Sequence, residues 1–202
     1  KGYFNKTLGD YKSIEENANI PMIIYTPSIL NDSRRLLISS QPISFLAKEK
    51  YNYTLNNIEN VEYSGLIGEE ETSKTRFTSV LRMTASFPYI MPSITLPTKP
   101  RIEVFDSGLR DNYGIKTTLQ YIHVFNNWFF ENTSGIIILQ LRKGKNKIDD
   151  MSQYQRKGLA SNLLSPFGSL YGNLFQIQDF NNGEVLSYAH SWHKNPVELF
   201  PI

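Results

Sequence analysis

From residue 101 to residue 141 the chain reads strand, helix, strand, and that order restricts the fold more than any other feature of the sequence. Ile102, Val104 and Phe105 form a short β-branched and aromatic run, which Ser107-Gly108 can break in a tight turn. Ile115, Leu119, Ile122, Phe125 and Phe129 then recur at helical spacing, with Tyr121, Val124 and Trp128 widening the apolar face. The pattern predicts a helix over 115–130. Gly135-Ile-Ile-Ile-Leu-Gln-Leu141 follows as an unbroken apolar run of strand length, the kind found inside a parallel sheet covered on both faces. Together these predict one right-handed crossover unit of the α/β class.

Upstream the signals are shorter. Residues 1–19 are polar and aperiodic, a loop with at most a short helix. Pro21-Met-Ile-Ile-Tyr25 predicts a buried strand closed by Thr26-Pro27. After turn chemistry at Asn31-Asp32-Ser33, Arg34-Arg-Leu-Leu-Ile-Ser39 predicts a second strand, so the two suggest a hairpin-like pair. Residues 41–48 suit a short helix, and the Asn-rich residues 50–73 with Glu69-Glu-Glu71 read as a surface excursion. Ser73 can cap a helix from Lys74 that sets Phe77, Val80, Leu81 and Thr84 on one face and stops at Pro88. From Gln153 onward a partly amphipathic helical pattern is expected through Leu159, Leu163, Leu164, Phe167, Leu170 and Phe175.

Composition narrows the chemistry. The 202 residues contain no cysteine, which removes disulfide frameworks, thiolate nucleophiles and Cys-ligated zinc together. A net charge of +2 and the lack of a Lys/Arg stripe point away from nucleic acid as a partner. No apolar run approaches the roughly twenty residues that span a bilayer. The opening Lys-Gly-Tyr and closing Glu-Leu-Phe-Pro-Ile suggest a piece of something longer.

One residue stands out for chemistry. Asp106 falls where strand becomes loop, the edge at which α/β sheets bind ligands, and a carboxylate held there can act as a general base. Asp and Gly also favour turns for backbone reasons alone, so the turn needs its surroundings to mean more.

Those surroundings resemble the patatin-like acyl hydrolases, or patatin-like phospholipases. Three segments carry the likeness, in the family's order and spacing over residues 20–142. The strand, turn and strand from Pro21 to Ile38 is similar to the family's, with a Thr ahead of an Asn-containing turn and a basic residue. Val80-Leu-Arg-Met-Thr-Ala-Ser-Phe-Pro-Tyr-Ile-Met-Pro92 resembles its helix ending in Ala-Ser, an apolar stretch and Pro. Phe105-Asp-Ser-Gly-Leu-Arg-Asp-Asn-Tyr-Gly114 resembles its Asp-Gly-Gly loop followed by an Asn.

The resemblance implies an α/β three-layer sandwich with a mainly parallel central sheet, incomplete in this chain. It would be the C-terminal portion of a catalytic domain over residues 1–142, with 143–202 a helical extension. It implies lipid acyl-ester hydrolysis by a Ser–Asp dyad in which Asp106 is the base, with Gly108 and Asn112 shaping the loop. Asp111→Asn, in the same loop, is the matched control for Asp106→Asn and is expected to leave ester turnover nearly unchanged. Expected partners are a lipid or other acyl-ester substrate, the missing N-terminal part of the domain, and a membrane surface. The corresponding location is cytoplasmic or peripheral to a membrane.

Two departures matter. Position 107 is Ser where the family has Gly, so the loop stays at negative φ or is strained. The family's Gly-x-Ser-x-Gly elbow and glycine-rich oxyanion loop do not occur; Gly168-Ser-Leu-Tyr-Gly172 has the wrong spacing and follows the Asp. A rival reading is therefore a catalytically silent patatin-like module for protein interaction or membrane docking.

Other groups have plainer readings. His190 and His193 are three apart but lack a carboxylate cluster, and His123 is distant, so no metal and no cofactor is expected. Thr84 and Ser86 suit close packing at a helix end. Asn5, Asn31, Asn52 and Asn132 begin Asn-x-Ser/Thr triplets, which an Asn-rich chain produces by chance. The basic loop 142–147 reads as solvated.

Overall fold

A computed structural model of the chain describes residues 5–47, 59–86, 91–141, 177–178, 180–185 and, for the backbone, 197–201. Two compact units divide it, Lys1–Val124 and Phe125–Ile202. The class is α/β.

The first unit is built on a five-stranded sheet in the order β3-β2-β1-β5-β4. Its strands are β1 (Ser28–Ile29), β2 (Arg35–Leu37), β3 (Asn60–Glu62), β4 (Ile94–Thr95) and β5 (Glu103–Phe105). The turn at residues 30–33 folds β2 back antiparallel on β1, with Ser33 at φ 63. An antiparallel bridge between Tyr25 and Ile38 continues the ladder outward, and the Leu36 amide donates to the Pro27 carbonyl at 2.8 Å. Hence the expected hairpin forms, but its first arm is paired at residues 25–29 rather than along 21–25. Pro27 has no N–H, which splits that arm into a bridge and a two-residue strand.

Alternation along β2 sends side chains to both faces. Leu36 and Ile38 join Leu8, Tyr63, Val80, Met83 and Val104 in one cluster. These come in part from helices α1 (Leu8–Glu16), α3 (Tyr63–Ile67) and α5 (Phe77–Thr84). Leu37 joins Ile43 and Leu46 in another, against Phe45, Tyr121 and Val124 of helices α2 (Ser44–Ala47) and α6 (Ile115–Val124). Leu36, Leu37 and Ile38 are wholly buried, each contributing roughly 1.5–3 kcal/mol by the removal of its side chain from water. Helices thus cover both faces of β2.

Several expectations are corrected. The sheet is mixed: β1–β2, β1–β5 and β4–β5 are antiparallel, and β2–β3 is its one parallel pairing among the described residues. The crossover unit over 101–141 does not form, because antiparallel β1 and β4 occupy both edges of β5. The predicted helix over 115–130 breaks at Phe125 (φ −99, ψ 15). Asn126 and Asn127 follow, and asparagine is among the weaker residues in a helix interior.

Residues 59–74 are not a surface excursion. β3 lies parallel to β2, and Tyr63 and Asn60 are buried. Asn60 can be buried because its Nδ2 donates to the Leu46 carbonyl at 2.7 Å and to Gln120 Oε1 at 2.9 Å. The acidic run instead forms the exposed first turn of α4 (Glu69–Lys74), where carboxylates favour the helix N-terminus. Ser73 sits inside α4 and caps nothing. Extended Thr75 and Arg76 separate α4 from α5 while pairing with the N-terminal segment: the Leu8 amide donates to Thr75 O, and the Phe77 amide to Lys6 O.

The second unit contains α7 (Asn126–Asn132), β6 (Ile136–Gln140) and β7 (Val197–Pro201). β6 and β7 pair in parallel, Ile136 opposite Val197 through Gln140 opposite Pro201. β6 is not a strand covered on both faces: Ile137 and Leu139 are exposed, while Ile138 and Gln140 between and beyond them are buried. The strand at 197–201 also replaces the helical pattern expected to the end of the chain. The basic loop 142–147, the apolar pattern from Leu159 to Phe175, His190, His193, Asn52 and Pro88 lie outside the described residues.

Candidate functional site

β5 ends at Phe105 and delivers Asp106 to an open end of the sheet. Both backbone groups of Asp106 are held. Its N–H donates to the Ser86 carbonyl at 3.0 Å, and its C=O accepts from Ser28 Oγ at 2.9 Å. Its side chain closes a small turn, Oδ1 accepting the Gly108 N–H at 2.7 Å. Oδ2 accepts no hydrogen bond from the described residues. Residues 107–109 form a 3-10 turn in which Ser107 keeps negative φ, so serine at this position carries no left-handed strain. Burial raises the Asp106 pKa above the usual carboxylate range, against the opposing pull of the Gly108 N–H.

Five residues on, Asp111 has a contrasting environment. It is wholly buried, and its Oδ2 accepts from Thr117 N at 2.9 Å and Thr117 Oγ1 at 2.6 Å. Oδ1 accepts from Lys116 N at 2.9 Å, so the carboxylate caps two free amides at the start of α6. Arg35 Nη1 of β2, also wholly buried, lies 3.3 Å from Oδ2. The other guanidinium arm donates to Glu59 Oε2 at 3.3 Å and Gln120 Oε1 at 3.0 Å. Glu59 in turn accepts from Arg110 at 2.7 Å. Asp111 thus has a structural role that the sequence reading did not anticipate: it fastens the loop to the central strand and to α6.

That fastening dictates the backbone between Asp111 and α6. The Gly114 N–H donates to the Asp111 carbonyl at 3.0 Å, and Tyr113 (φ 65, ψ 7) and Gly114 (φ 67) are both left-handed. Glycine adopts this freely, whereas for a side-chain-bearing residue it costs roughly 1–2 kcal/mol.

These elements surround a shallow cleft of about 370 Å³. Asp106, Ser107, Gly108 and Asn112 line it from the loop, with Ile24 and Leu81 across it. The three residues singled out from the sequence, Asp106, Gly108 and Asn112, thus lie together at one cleft. Thr84 and Ser86 are engaged in their own helix end, Thr84 Oγ1 donating to Leu81 O and Ser86 Oγ to Arg82 O. Asn31 braces β5, accepting from Glu103 N and donating to Arg101 O. Among the described residues no three His, Cys, Asp or Glu side chains group to hold a metal, and no helix is long and apolar enough to cross a membrane.

Arg35 and Asp111 are the residues that sequence reasoning missed. The available signal was an arginine opening the apolar run Leu36-Leu-Ile38, since a guanidinium drawn into a buried strand requires a carboxylate. No family model, no curated protein and no solved structure matches the chain.

Proposed function

We propose that this chain carries the base half of a patatin-like lipid acyl hydrolase, with Asp106 the general base of a Ser–Asp dyad. The observation that carries the reading is the contrast between two carboxylates in one loop. Asp111 is paired with Arg35 and saturated with hydrogen bonds. Asp106 stands on a sheet end, at a cleft, with its pKa raised by burial above the ordinary carboxylate value and with Oδ2 available for a proton.

In this reaction a serine Oγ attacks the ester carbonyl carbon as its proton passes to Asp106. The C–O bond to the alcohol then breaks, and the leaving alkoxide takes that proton. Water repeats the sequence on the acyl-enzyme: its oxygen bonds the carbonyl carbon, its proton goes to Asp106, and the serine departs with the proton returned. The serine, and the oxyanion donors that stabilise the tetrahedral charge, come in this reading from a segment outside this sequence. Helices over both faces of β2 are compatible with a three-layer patatin-like arrangement.

The test is hydrolysis of a nitrophenyl acyl ester by the serine-bearing protein and its Asp106→Asn variant. A fall of roughly 10² to 10⁴ in turnover is expected. An unchanged rate would leave Asp106 a turn residue and favour a silent module.

A further inference from the structure

We infer that the cavity at the carboxyl end of the β2–β3 pair is a second ligand site, one that takes a small organic cation: a primary ammonium on a short hydrocarbon body. This is independent of the reading above, since no residue lines both this cavity and the Asp106 cleft. β2 and β3 run parallel, Leu37 opposite Glu62, so their carboxyl ends lie side by side. The crevice outside such strand ends is where α/β sheets bind ligands. Here it holds a cavity of about 270 Å³, lined by residues 39–43, which follow β2, and residues 62–64, where β3 passes into α3. Residues of α1 and α4 supply further walls.

The lining has an apolar part and an acidic part. Leu8, Leu37 and Ile43 offer hydrocarbon, while Glu62, Glu69 and Glu70 offer carboxylates against Lys12 as the one lysine or arginine. Glu70 is neutralised by Lys74, 2.6 Å away. Glu62 is held in place, Oε1 accepting the Ile43 N–H at 2.9 Å, and its Oε2 accepts nothing from the described residues. Glu69 has no ion-pair partner among the described residues. Ser39 lines the same cavity at 7% exposure; its Oγ accepts the Gln41 N–H at 3.2 Å and donates to none of the described residues.

These groups define the ligand. A fixed carboxylate with a spare oxygen, a second carboxylate without a partner and a buried hydroxyl with a spare lone pair are acceptors that the three N–H bonds of an ammonium can meet. Three carboxylates against one lysine give the cavity a negative field, which draws cations and repels anions. No three of these carboxylates group tightly enough to hold a metal ion, so the cation is organic. Leu8, Leu37 and Ile43 favour a hydrocarbon body by removing it from water. The cavity lies just below the usual size of ligand pockets, roughly 300–1,000 Å³, so that body is short.

The experiment is an NMR titration of the full chain with n-butylammonium chloride and, in parallel, with n-butanol, which carries the same hydrocarbon body without the charge. Butylammonium should shift the Ile43 amide resonance saturably at millimolar concentration, because that N–H rests on the carboxylate the ammonium engages. Butanol should bind about tenfold more weakly. Glu62→Gln keeps an oxygen for the Ile43 amide, and with it the local fold, and should weaken butylammonium about tenfold. Glu69→Gln, on an exposed turn where substitution leaves the core intact, should weaken it about threefold and carries the test if the Glu62 variant does not fold. Equal affinity for butanol would make the cavity a mere apolar hollow and overturn the inference. An unshifted Ile43 amide in the parent chain would overturn it as well, as would unchanged butylammonium affinity in either folded variant.

Discussion

Arg35 and Asp111 lie 76 residues apart in the chain and 3.3 Å apart in the fold, each with its side chain wholly buried. An ion pair removed from water is sustained only when its remaining donors and acceptors are met, and here Thr117, Lys116, Gln120 and Glu59 meet most of them. The pair joins the central strand, the Asp106 loop and the start of α6 at one point.

Asp111→Ala should consequently destabilise the fold by roughly 3–5 kcal/mol in urea unfolding, since it strands a buried guanidinium and exposes two helix amides. In a double-mutant cycle with Arg35→Met the two losses should fall short of additivity by roughly 0.5–3 kcal/mol. Additive losses would mean the two side chains do not stabilise one another.

Asp106 should respond in the opposite sense. A carboxyl whose folded pKa is raised binds more protons folded than unfolded, so its contribution to stability falls as pH climbs from the ordinary carboxylate value through the raised one. Asp106→Asn should therefore be neutral in acid and stabilising near pH 7, where the parent holds a half-buried anion. A pH series of melting temperatures on both proteins checks this, and a variant less stable than the parent at pH 7 would contradict it.

The same shift bears on rate. If Asp106 takes the nucleophile's proton, kcat/KM should rise with pH along a limb whose midpoint lies above the usual carboxylate range. A limb at the value of a free aspartate would mean that burial does not tune this group.

Two glycines give a backbone test. Gly68 links α3 to α4 at φ 92 and ψ 153, a region open to glycine and little else, so Gly68→Ala should cost roughly 1–3 kcal/mol. Gly65 lies inside α3 with open space where a Cβ would stand, so Gly65→Ala should stabilise by roughly 0.5–1 kcal/mol. Thermal denaturation of the two variants should show opposite shifts.

Local chemistry was legible in the sequence wherever it acted locally. The turn at Asn31-Asp32-Ser33 and the strand-to-loop change at Asp106 depend on residues within a few positions, and both stand where the pattern puts them. Pairings were not legible. Nothing near Ile102 or Phe105 says that β5 will take antiparallel β1 and β4 as neighbours, and nothing near Asp111 names Arg35. Asn60 misled for the same reason, since an amide that looks destined for solvent is buried by partners at Leu46 and Gln120.

The pairing of β6 with β7 sets an order of events during synthesis. When Gln140 leaves the ribosome, the strand that will complete its ladder is still unmade, because Val197 follows only after residues 141–196. At roughly 5–20 residues per second that interval lasts seconds, far longer than the microseconds in which a local hairpin closes. Throughout it Ile136-Ile-Ile-Leu-Gln140 presents an unpaired, largely apolar edge to whatever chains are nearby. The nascent protein should thus depend on chaperone cover most between the appearance of β6 and that of β7.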